Sequence, residues 1–450
     1  MDQELTHQLC IRPPSSTTWV GQRAWVLFGI GLLLNSVLRG IRAPSRYVYT
    51  EMLQNYSFGF CKRGLVGTLI AALDIHALYH YSFCFFFCLV LLFFNIAILS
   101  DLVRRLCAAP LLTSRFAALI FSSSLAIVVL THAAGYGDHI GLLVTLLAWR
   151  IRGFYVRSVC VATLFTLSIL AHETNFVLFF PIILFRFLLD MPVTGSKLAI
   201  LGVACACVVA ALIGVSFAHL SVPSAKALYQ SLQHEADYPL RKDEIFAITA
   251  TFSDFLKSQS TSWNDPTFVQ LFLNSLIVSI PTTVFLLKGA LLALSEAGRS
   301  PLVRTAAALA VLSPLSLHLV AYDCQRWTTA MMINAFLLFA TVTLQRRPPT
   351  NHEGPMTWRA PLIAVSLIAL NLSSTLPLFD GYIVQNFPYN EHLNDFIRMI
   401  KGDSRFPPPP ALCEESGCLT VTEQLGASKS AVSKGELAKE LQRELDAERP

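Results

Sequence analysis

The stretch LSILAHETNFVLFFP, residues 167–181, places a histidine and a glutamate side by side between the apolar runs 158–170 and 176–189. An unpaired ionisable group is costly in an apolar environment, where nothing replaces its hydration. His172 and Glu173 therefore need either charged partners or contact with water. Which of these they have depends on where the chain crosses the membrane.

The composition of the chain predicts a polytopic membrane protein. It has 450 residues, of which 54% are hydrophobic and 14% are charged, and a single soluble domain cannot shield so much apolar surface. The polar N-terminal stretch shows no small-residue cleavage site, so we expect the first span to stay as an anchor. No Cys pair has zinc-site spacing, and a net charge of +5 is no evidence for a nucleic-acid partner. In the polar tail, Cys413 and Cys418 predict a small-loop disulfide.

The apolar segments predict an all-α transmembrane helical bundle of about eleven spans, some of them short or broken. The run 64–80 is apolar on one side and carries Asp74, His76 and His80, which predicts an amphipathic helix at the interface in the first outer loop. The two histidines lack a third metal ligand and are interpreted as interfacial polar residues. The predicted spans are 24–41, 82–100, 116–131, 139–149, 158–171, 175–189, 198–218, 268–288, 302–320, 328–345 and 360–377.

The loop charges predict the orientation in the inner membrane. Lys and Arg prefer the cytoplasmic side, and a cytoplasmic N-terminus makes every predicted inner loop basic. We therefore expect a cytoplasmic segment 1–23, a transmembrane domain 24–377 and an extracytoplasmic tail 378–450. The two long outer loops are then 42–81 and 219–267.

Four polar motifs fall on the same predicted outer face, where helix ends can line a water-accessible cavity. Each also has a structural interpretation. Asp138 can cap the helix that follows it, and Asn175 can cap the helix that begins after HETN. Asp323 and Arg326 can form one structural ion pair. The adjacent Lys–Arg pair can be snorkelling residues. The motifs are the segment from Glu51 to Arg63, GYGDH at 135–139, HETN at 172–175 and YDCQRW at 322–327.

The residue types in these motifs indicate transfer chemistry. Carboxylates can act as general bases, and an arginine guanidinium suits bidentate contact with phosphate. An apolar cavity open to lipid, with cations at headgroup level, fits a lipid-linked phosphate whose long lipid tail stays in the bilayer. The candidate catalytic residues are Glu51, Asp138 and Glu173, and the candidate phosphate- or substrate-binding residues are Lys62, Arg63, His139, His172, Asp323 and Arg326.

Three pieces resemble motifs of bacterial membrane proteins that assemble surface polysaccharides: NYSFGFCKRGLVGTL (55–69), the HE pair in LSILAHETNFVLFFP, and the D-x-x-R-W of AYDCQRW (321–327). The related families are polyprenyl-phosphate-dependent glycosyltransferases of the GT-C class and polysaccharide polymerases of the Wzy and EpsG kind. The resemblance covers most of 24–345. It implies a helical membrane fold, a sugar donor on a polyprenyl phosphate or diphosphate, and transfer at the outer face of the inner membrane.

The expected function is glycosyl transfer, with Glu51 or Asp138 taking the proton of the acceptor hydroxyl. GT-C enzymes usually carry an acidic residue, often a pair, in the first outer loop, and here that loop offers Glu51, with Asp74 in the following helix. The expected partners are a polyprenyl-linked sugar, a glycan or lipid acceptor, and membrane lipids. A repeat-unit polymerase and a lipid or glycan transporter or flippase are the alternatives, and the use of a divalent metal stays open.

The orientation can be tested with a reporter that is active only outside the cytoplasm. Fusions after residues 230 and 400 should be active, whereas fusions after 108, 154 and 347 should be inactive, because basic loops stay in the cytoplasm. The reverse pattern of activity would place the four motifs on the cytoplasmic side and contradict the assignment.

Overall fold

A computed structural model describes residues 16–189, 194–321, 323–345 and 359–375, together with four positions between 384 and 397. Every regular element within these residues is helical, which confirms the predicted all-α class. Most of the predicted tail, including Cys413 and Cys418, lies outside the described residues, as does the start of the predicted N-terminal segment.

Residues 16–189, all of them described by the structure, form ten α-helices. A π-helical turn at Val161–Phe165 joins α8 to α9, and a 3-10 helix at His76–Tyr79 precedes α4. In chain order, α1 to α10 are Ser16–Gly40, Arg46–Leu53, Leu65–Leu73, Tyr81–Ala108, Leu112–Ser123, Leu125–His132, Asp138–Arg150, Phe154–Cys160, Thr166–Ala171 and Asn175–Leu189.

The second half adds eight α-helices among the described residues. A 3-10 helix at Ser313–Leu319 continues α16 towards the start of α17. In chain order, α11 to α18 are Gly195–Phe217, Val222–Glu235, Lys242–Ala247, Phe252–Ser262, Pro266–Glu296, Pro301–Leu312, Cys324–Gln345 and Arg359–Ser373.

Each of the predicted spans overlaps a helix, but only eight helical stretches in the described part are long and apolar enough to cross a membrane. The other three are α7, α10 and α18, which have 13, 15 and 15 residues. At a rise of about 1.5 Å per residue they fall short of a hydrocarbon core of roughly 30 Å. Two of these short helices, α7 and α10, begin beside the predicted motifs Asp138 and HETN.

Helix α17 is the centre of the bundle. Of its most apolar stretch, 89% is buried inside the protein, as expected for a helix that is apolar on all sides. Phe336 stacks on Phe121 of α5 with ring centroids 3.7 Å apart. The Asn334 side chain donates to the Leu178 carbonyl of α10 at 2.8 Å. Of the most apolar stretch of α11, only 22% is buried, so this helix presents most of its surface outward.

A surface layer, defined as α2, α3 and α12 to α14, covers one end of the bundle. It has its own apolar cluster, in which Tyr49 and Leu53 of α2 pack with Leu228 and Ile245. Backbone contacts also fasten the layer, because the Arg241 amide donates to Thr50 Oγ1 at 2.9 Å. The predicted outer loop 219–267 is therefore largely helical and packed.

The predicted amphipathic helix over 64–80 is wrong as a single element. Helix α3 ends at Leu73, and Asp74 adopts a left-handed backbone conformation with φ 51°, which stops the helix. A separate 3-10 turn follows and brings the exposed rings of His76 and His80 within 3.2 Å of each other. A polar residue with a short side chain tolerates this conformation, so Asp74 acts as a helix terminator.

Gly40 allows α1 to touch α6, and we expect Gly40→Ala to destabilise the bundle. An added Cβ would lie 2.1 Å from the Val128 carbonyl oxygen and 2.2 Å from Thr131 Oγ1, so the two helices would have to separate. The predicted cost is about 1–3 kcal/mol. It can be measured as a lower temperature at which monodisperse protein is lost in detergent. Gly31→Ala is the matched control, because nothing lies within 4 Å of its added Cβ; equal behaviour of both variants would contradict the prediction.

Candidate functional site

Helix ends and turns from distant parts of the chain meet beneath the surface layer. Helix α7 begins at Asp138, α10 begins directly after the His172–Glu173 turn, and α17 begins after Asp323. Gly137 makes this approach possible, because a Cβ there would lie only 2.4 Å from the Cβ of His172. The polar motifs thus share one end of the bundle, as the sequence predicts.

Arg63, whose side chain is 15% exposed, is the first of two cation centres. Its backbone adopts φ 61°, an uncommon conformation for a residue with a side chain, and its guanidinium is held from two sides. Nε and Nη2 donate to Glu173 at 3.4 and 3.2 Å, while Nη1 donates to Glu244 at 2.9 Å and to the Tyr47 hydroxyl at 2.6 Å. Arg63 therefore links the turn after α9 to helix α13 of the surface layer.

Arg326, in the first turn of α17, is the second cation centre. Its Nε and Nη2 donate to Asp138 Oδ2 at 2.9 and 2.7 Å, and its Nη1 donates to Asp323 at 2.5 Å. The guanidinium carbon lies 4.2 Å from the centroid of the Tyr136 ring, which is a cation–π distance. The predicted pair of Asp323 and Arg326 exists, and the contact with Asp138 ties it to the GYGDH motif.

His172 lies beside the Arg326 centre on one side, is next to Glu173 in the chain, and contacts Glu51. Its Nε2 lies 3.5 Å from Glu51 Oε1, and its Nδ1 lies 2.5 Å from the Thr174 hydroxyl and 3.9 Å from Asp138 Oδ1. Thr174 in turn donates to Asp138 at 3.1 Å. Side-chain contacts therefore lead from Arg326 through Asp138 and Thr174 to His172, and the adjacent residue Glu173 contacts Arg63.

Glu51 differs from the other carboxyl groups of the site. It is buried, and neither of its oxygens accepts a hydrogen bond from the described residues. Burial raises the pKa of Glu51 to about 8 and outweighs the attraction of Arg63. For Glu173 burial also raises the pKa, but the contact with Arg63 dominates and lowers it to about 2. Near neutral pH, Glu173 is thus ionised while Glu51 exchanges a proton readily.

The histidine of the HETN turn is neutral near pH 7. Burial lowers the pKa of His172 to about 4, and repulsion from Arg63 adds to this effect. A neutral imidazole can donate from one ring nitrogen and accept at the other. His172 can therefore orient the Glu51 carboxyl without adding charge to the site.

The remaining two predicted residues lie beside this group. His139 is buried next to Asp138, and its backbone carbonyl accepts from the Asn95 side chain at 3.0 Å. The Lys62 ammonium donates to the Ala250 carbonyl at 2.9 Å and thereby contacts the segment that precedes α14. Contacts within 4 Å join Arg63 to Glu173 and, as a second set, join the other five predicted residues; the two sets meet where His172 and Glu173 are adjacent in the chain. The five are Glu51, Asp138, His172, Asp323 and Arg326.

Sequence reasoning missed Glu244 and the two tyrosines of the site. Glu244 is buried, with a side chain only 2% exposed, although its neighbour Asp243 is 46% exposed. Tyr47 and Tyr136 stack with ring centroids 5.4 Å apart, between the two arginines. Tyr136 lies within the GYGDH motif, which was a usable signal. For Glu244 only the fold distinguishes the buried acid from the exposed one.

The site contains more acidic than basic side chains. Arg63 and Arg326 supply two positive charges, and each is already shared between two carboxylates. The bonds above use four of the five N–H donors of Arg63 and three of those of Arg326, and an anion that replaced a carboxylate would bind without adding net negative charge. In the part of the chain that the structure describes, no group of three or more His, Cys, Asp or Glu side chains is arranged to hold a metal ion. The acidic groups are Glu51, Asp138, Glu173, Glu244 and Asp323.

The coupling between Asp138 and Arg326 gives a stability prediction. Arg326→Gln leaves Asp138 buried without its cation and should cost about 3–5 kcal/mol, whereas Asp138→Asn together with Arg326→Gln should restore much of the loss. Thermal unfolding in detergent measures both variants.

The double variant Asp323→Asn with Arg326→Gln is the matched control. It should stay destabilised, because Asp138 still lacks a cation. Equal recovery of the two double variants would show that Asp323 is the partner that matters for stability.

Comparison with known proteins leaves the site to be interpreted from its own geometry. No protein-family model matches the chain. No curated protein and no solved structure matches it either. The resemblance to enzymes of polysaccharide assembly is therefore a prediction from the short motifs, and the all-α multi-pass membrane fold is the class to which the chain is assigned.

Proposed function

We propose that this protein is a membrane glycosyltransferase that takes a sugar from a polyprenyl-phosphate- or polyprenyl-diphosphate-linked donor at the outer face of the inner membrane. The observation that carries the proposal is the environment of Glu51. It is a buried carboxyl without a hydrogen-bond partner among the described residues, and both Arg63 and Arg326 are near enough to attract its charge. Glycosyl transfer needs both parts, a base for the acceptor and cations for the departing phosphate.

Glu51 suits the role of base better than Asp138. Asp138 accepts two hydrogen bonds from Arg326 and one from Thr174, so its charge is committed to these partners. Glu51 is free of such bonds, and a base works best when its pKa is close to the operating pH. Neutral His172, 3.5 Å away, can hold the carboxyl in position.

In the proposed reaction, an acceptor hydroxyl oxygen attacks the anomeric carbon of the donor sugar. The hydroxyl proton passes to Glu51, and the bond between the anomeric carbon and the phosphate oxygen breaks. The electron pair of that bond leaves with the lipid phosphate, whose added charge Arg63 and Arg326 stabilise. Each guanidinium can bind phosphate through two parallel N–H donors.

A groove at the same end of the bundle supports a substrate carried by a lipid. It has a volume of about 500 Å³ and runs along the first turns of α15, next to the surface layer. Exposed Leu273 and Ile277 give it an apolar wall, while Trp263 stands at its start. An aromatic ring at the start of a membrane helix is typical of the membrane–water interface, where a lipid headgroup meets its chain.

The alternatives use the same side chains differently. A repeat-unit polymerase would carry out the same bond exchange with a longer acceptor. A transporter or flippase would be expected to bind its cargo near the bilayer midplane, between broken helices. The charged side chains here lie at the beginnings of α7, α10 and α17, and this position favours transfer at the membrane surface.

Removal of the Glu51 carboxylate should abolish transfer. We expect Glu51→Gln to lower the rate by about 10²–10⁴-fold, because the amide cannot accept the hydroxyl proton. The fold should persist, because the carboxyl is predominantly neutral below its pKa of about 8 and the amide has nearly the same shape. The measurement is mass spectrometry of the lipid-linked glycans in a deletion strain. A deletion strain that carries Glu51→Gln should accumulate the same donor as a deletion strain that carries no copy of the protein.

The pH profile and a surface control complete this test. Transfer in membranes carrying the wild-type chain should increase as the pH rises towards and past about 8, because only ionised Glu51 acts as a base. Glu235→Gln, a change of an exposed carboxylate on α12, should leave both the glycans and the profile unchanged. Normal glycans with Glu51→Gln would exclude Glu51 as the base.

A further inference from the structure

Glu244 is the one carboxylate on Arg63 that belongs to the surface layer. Its Oε1 accepts from Arg63 Nη1 at 2.9 Å, and its side chain is almost fully buried. Its backbone carbonyl accepts from the Gln54 side chain at 3.2 Å, which holds α13 against α2. The acidic group thus enters the site from outside the transmembrane bundle.

The two carboxylates on Arg63 are held differently. Glu173 takes the Nε and Nη2 edge of the guanidinium, and it lies in a short turn fixed between α9 and α10. Asn175 anchors this turn by donating to the carbonyls of Gly137 and Ser168 at 3.2 and 2.9 Å. Glu244 takes only Nη1 and lies on the six-residue helix α13. Of the two, Glu244 is the ligand that can leave without opening the bundle.

We infer that Glu244 is a gate residue: it occupies the Nη1 side of Arg63 at rest and gives way to the phosphate of the lipid-linked substrate. This inference rests on the proposed function, and it names the place where the substrate phosphate binds. The phosphate takes over the hydrogen bonds that Arg63 Nη1 makes to Glu244 and stays within reach of the Tyr47 hydroxyl, which lies 2.6 Å from the same nitrogen.

Electrostatics require such an exchange. Glu173 and Glu244 both contact the single positive charge of Arg63, so a phosphate added to this group would meet more negative than positive charge. When Glu244 leaves, the number of anions on Arg63 stays the same. The desolvated guanidinium then remains paired throughout the binding step.

A structural role for Glu244 makes the opposite prediction. If the carboxylate served only to fasten α13, its neutralisation would loosen the site, and phosphate binding would weaken. If it is a gate, neutralisation removes a competitor, and binding becomes tighter. Glu244→Gln keeps the size of the side chain and its capacity to accept a hydrogen bond, so it changes mainly the charge.

The experiment measures binding of farnesyl phosphate, and separately of inorganic phosphate, to the full-length chain in nanodiscs at pH 7.5. Glu244→Gln should lower the Kd for farnesyl phosphate at least tenfold. Asp243→Asn is the matched control, because it removes a charge from the same helix at an exposed position that pairs with Arg241, and it should change the Kd less than twofold. Arg63→Gln should abolish binding.

Glu244→Ala serves as a second variant, and it should also bind farnesyl phosphate more tightly, because it too lacks the competing charge. Tighter binding of inorganic phosphate by both Glu244 variants would also support the gate. It would show that Glu244 competes with the phosphate group itself and not with the lipid chain. If both Glu244 variants bind farnesyl phosphate no more tightly than the wild-type chain and Arg63→Gln does not bind it, the gate is overturned and the proposed function stands. Undiminished binding by Arg63→Gln would overturn both.

Discussion

The charged end of the bundle depends on two guanidinium groups, the buried Arg326 and the largely shielded Arg63, each shared between two carboxylates. Arg63 joins Glu173 to Glu244, and Arg326 joins Asp138 to Asp323. A buried carboxylate that lost its cation would be strongly destabilising, so each arginine fixes two segments that are far apart in the sequence. The geometry of the turns at α7, α10 and α17 follows from this requirement, together with the close approach at Gly137.

The membrane explains why such a group of charges lies where it does. Helix α17 is surrounded by other helices and gives the bundle an apolar centre, in which a charge would find no partner or water. The short helices α7 and α10 begin at the charged end, and the surface layer covers that end with α2, α3 and α12 to α14. The polar groups are thus gathered at one end of the bundle, where the surface layer encloses them.

Within this group the carboxyl groups divide into two kinds, and the division gives the site its chemical character. Those on the arginines accept charge-assisted hydrogen bonds, and for Glu173 the contact with Arg63 keeps the pKa low and the group ionised. Glu51 has burial without such bonds, and its pKa rises to about 8. One reactive carboxyl beside two fixed cation centres is an arrangement suited to moving a proton while negative charge develops nearby.

The sequence by itself determined the all-α membrane fold, because apolar composition and the length of apolar runs depend only on the order of residues. It also identified seven residues that the structure joins, since ionisable groups between apolar runs need partners whatever the fold. A local pattern failed at Asp74, where one backbone angle ended the predicted helix, whereas the short predicted runs 139–149 and 175–189 do form short helices. Only the tertiary structure decided that Glu244 is buried against Arg63 while Asp243 faces outward. It also decided that Arg326 binds Asp138 as well as Asp323. Finally, it left Glu51 without an arginine bonded to its carboxyl group. These pairings join segments up to 188 positions apart, and no local pattern encodes which distant charge a side chain will meet.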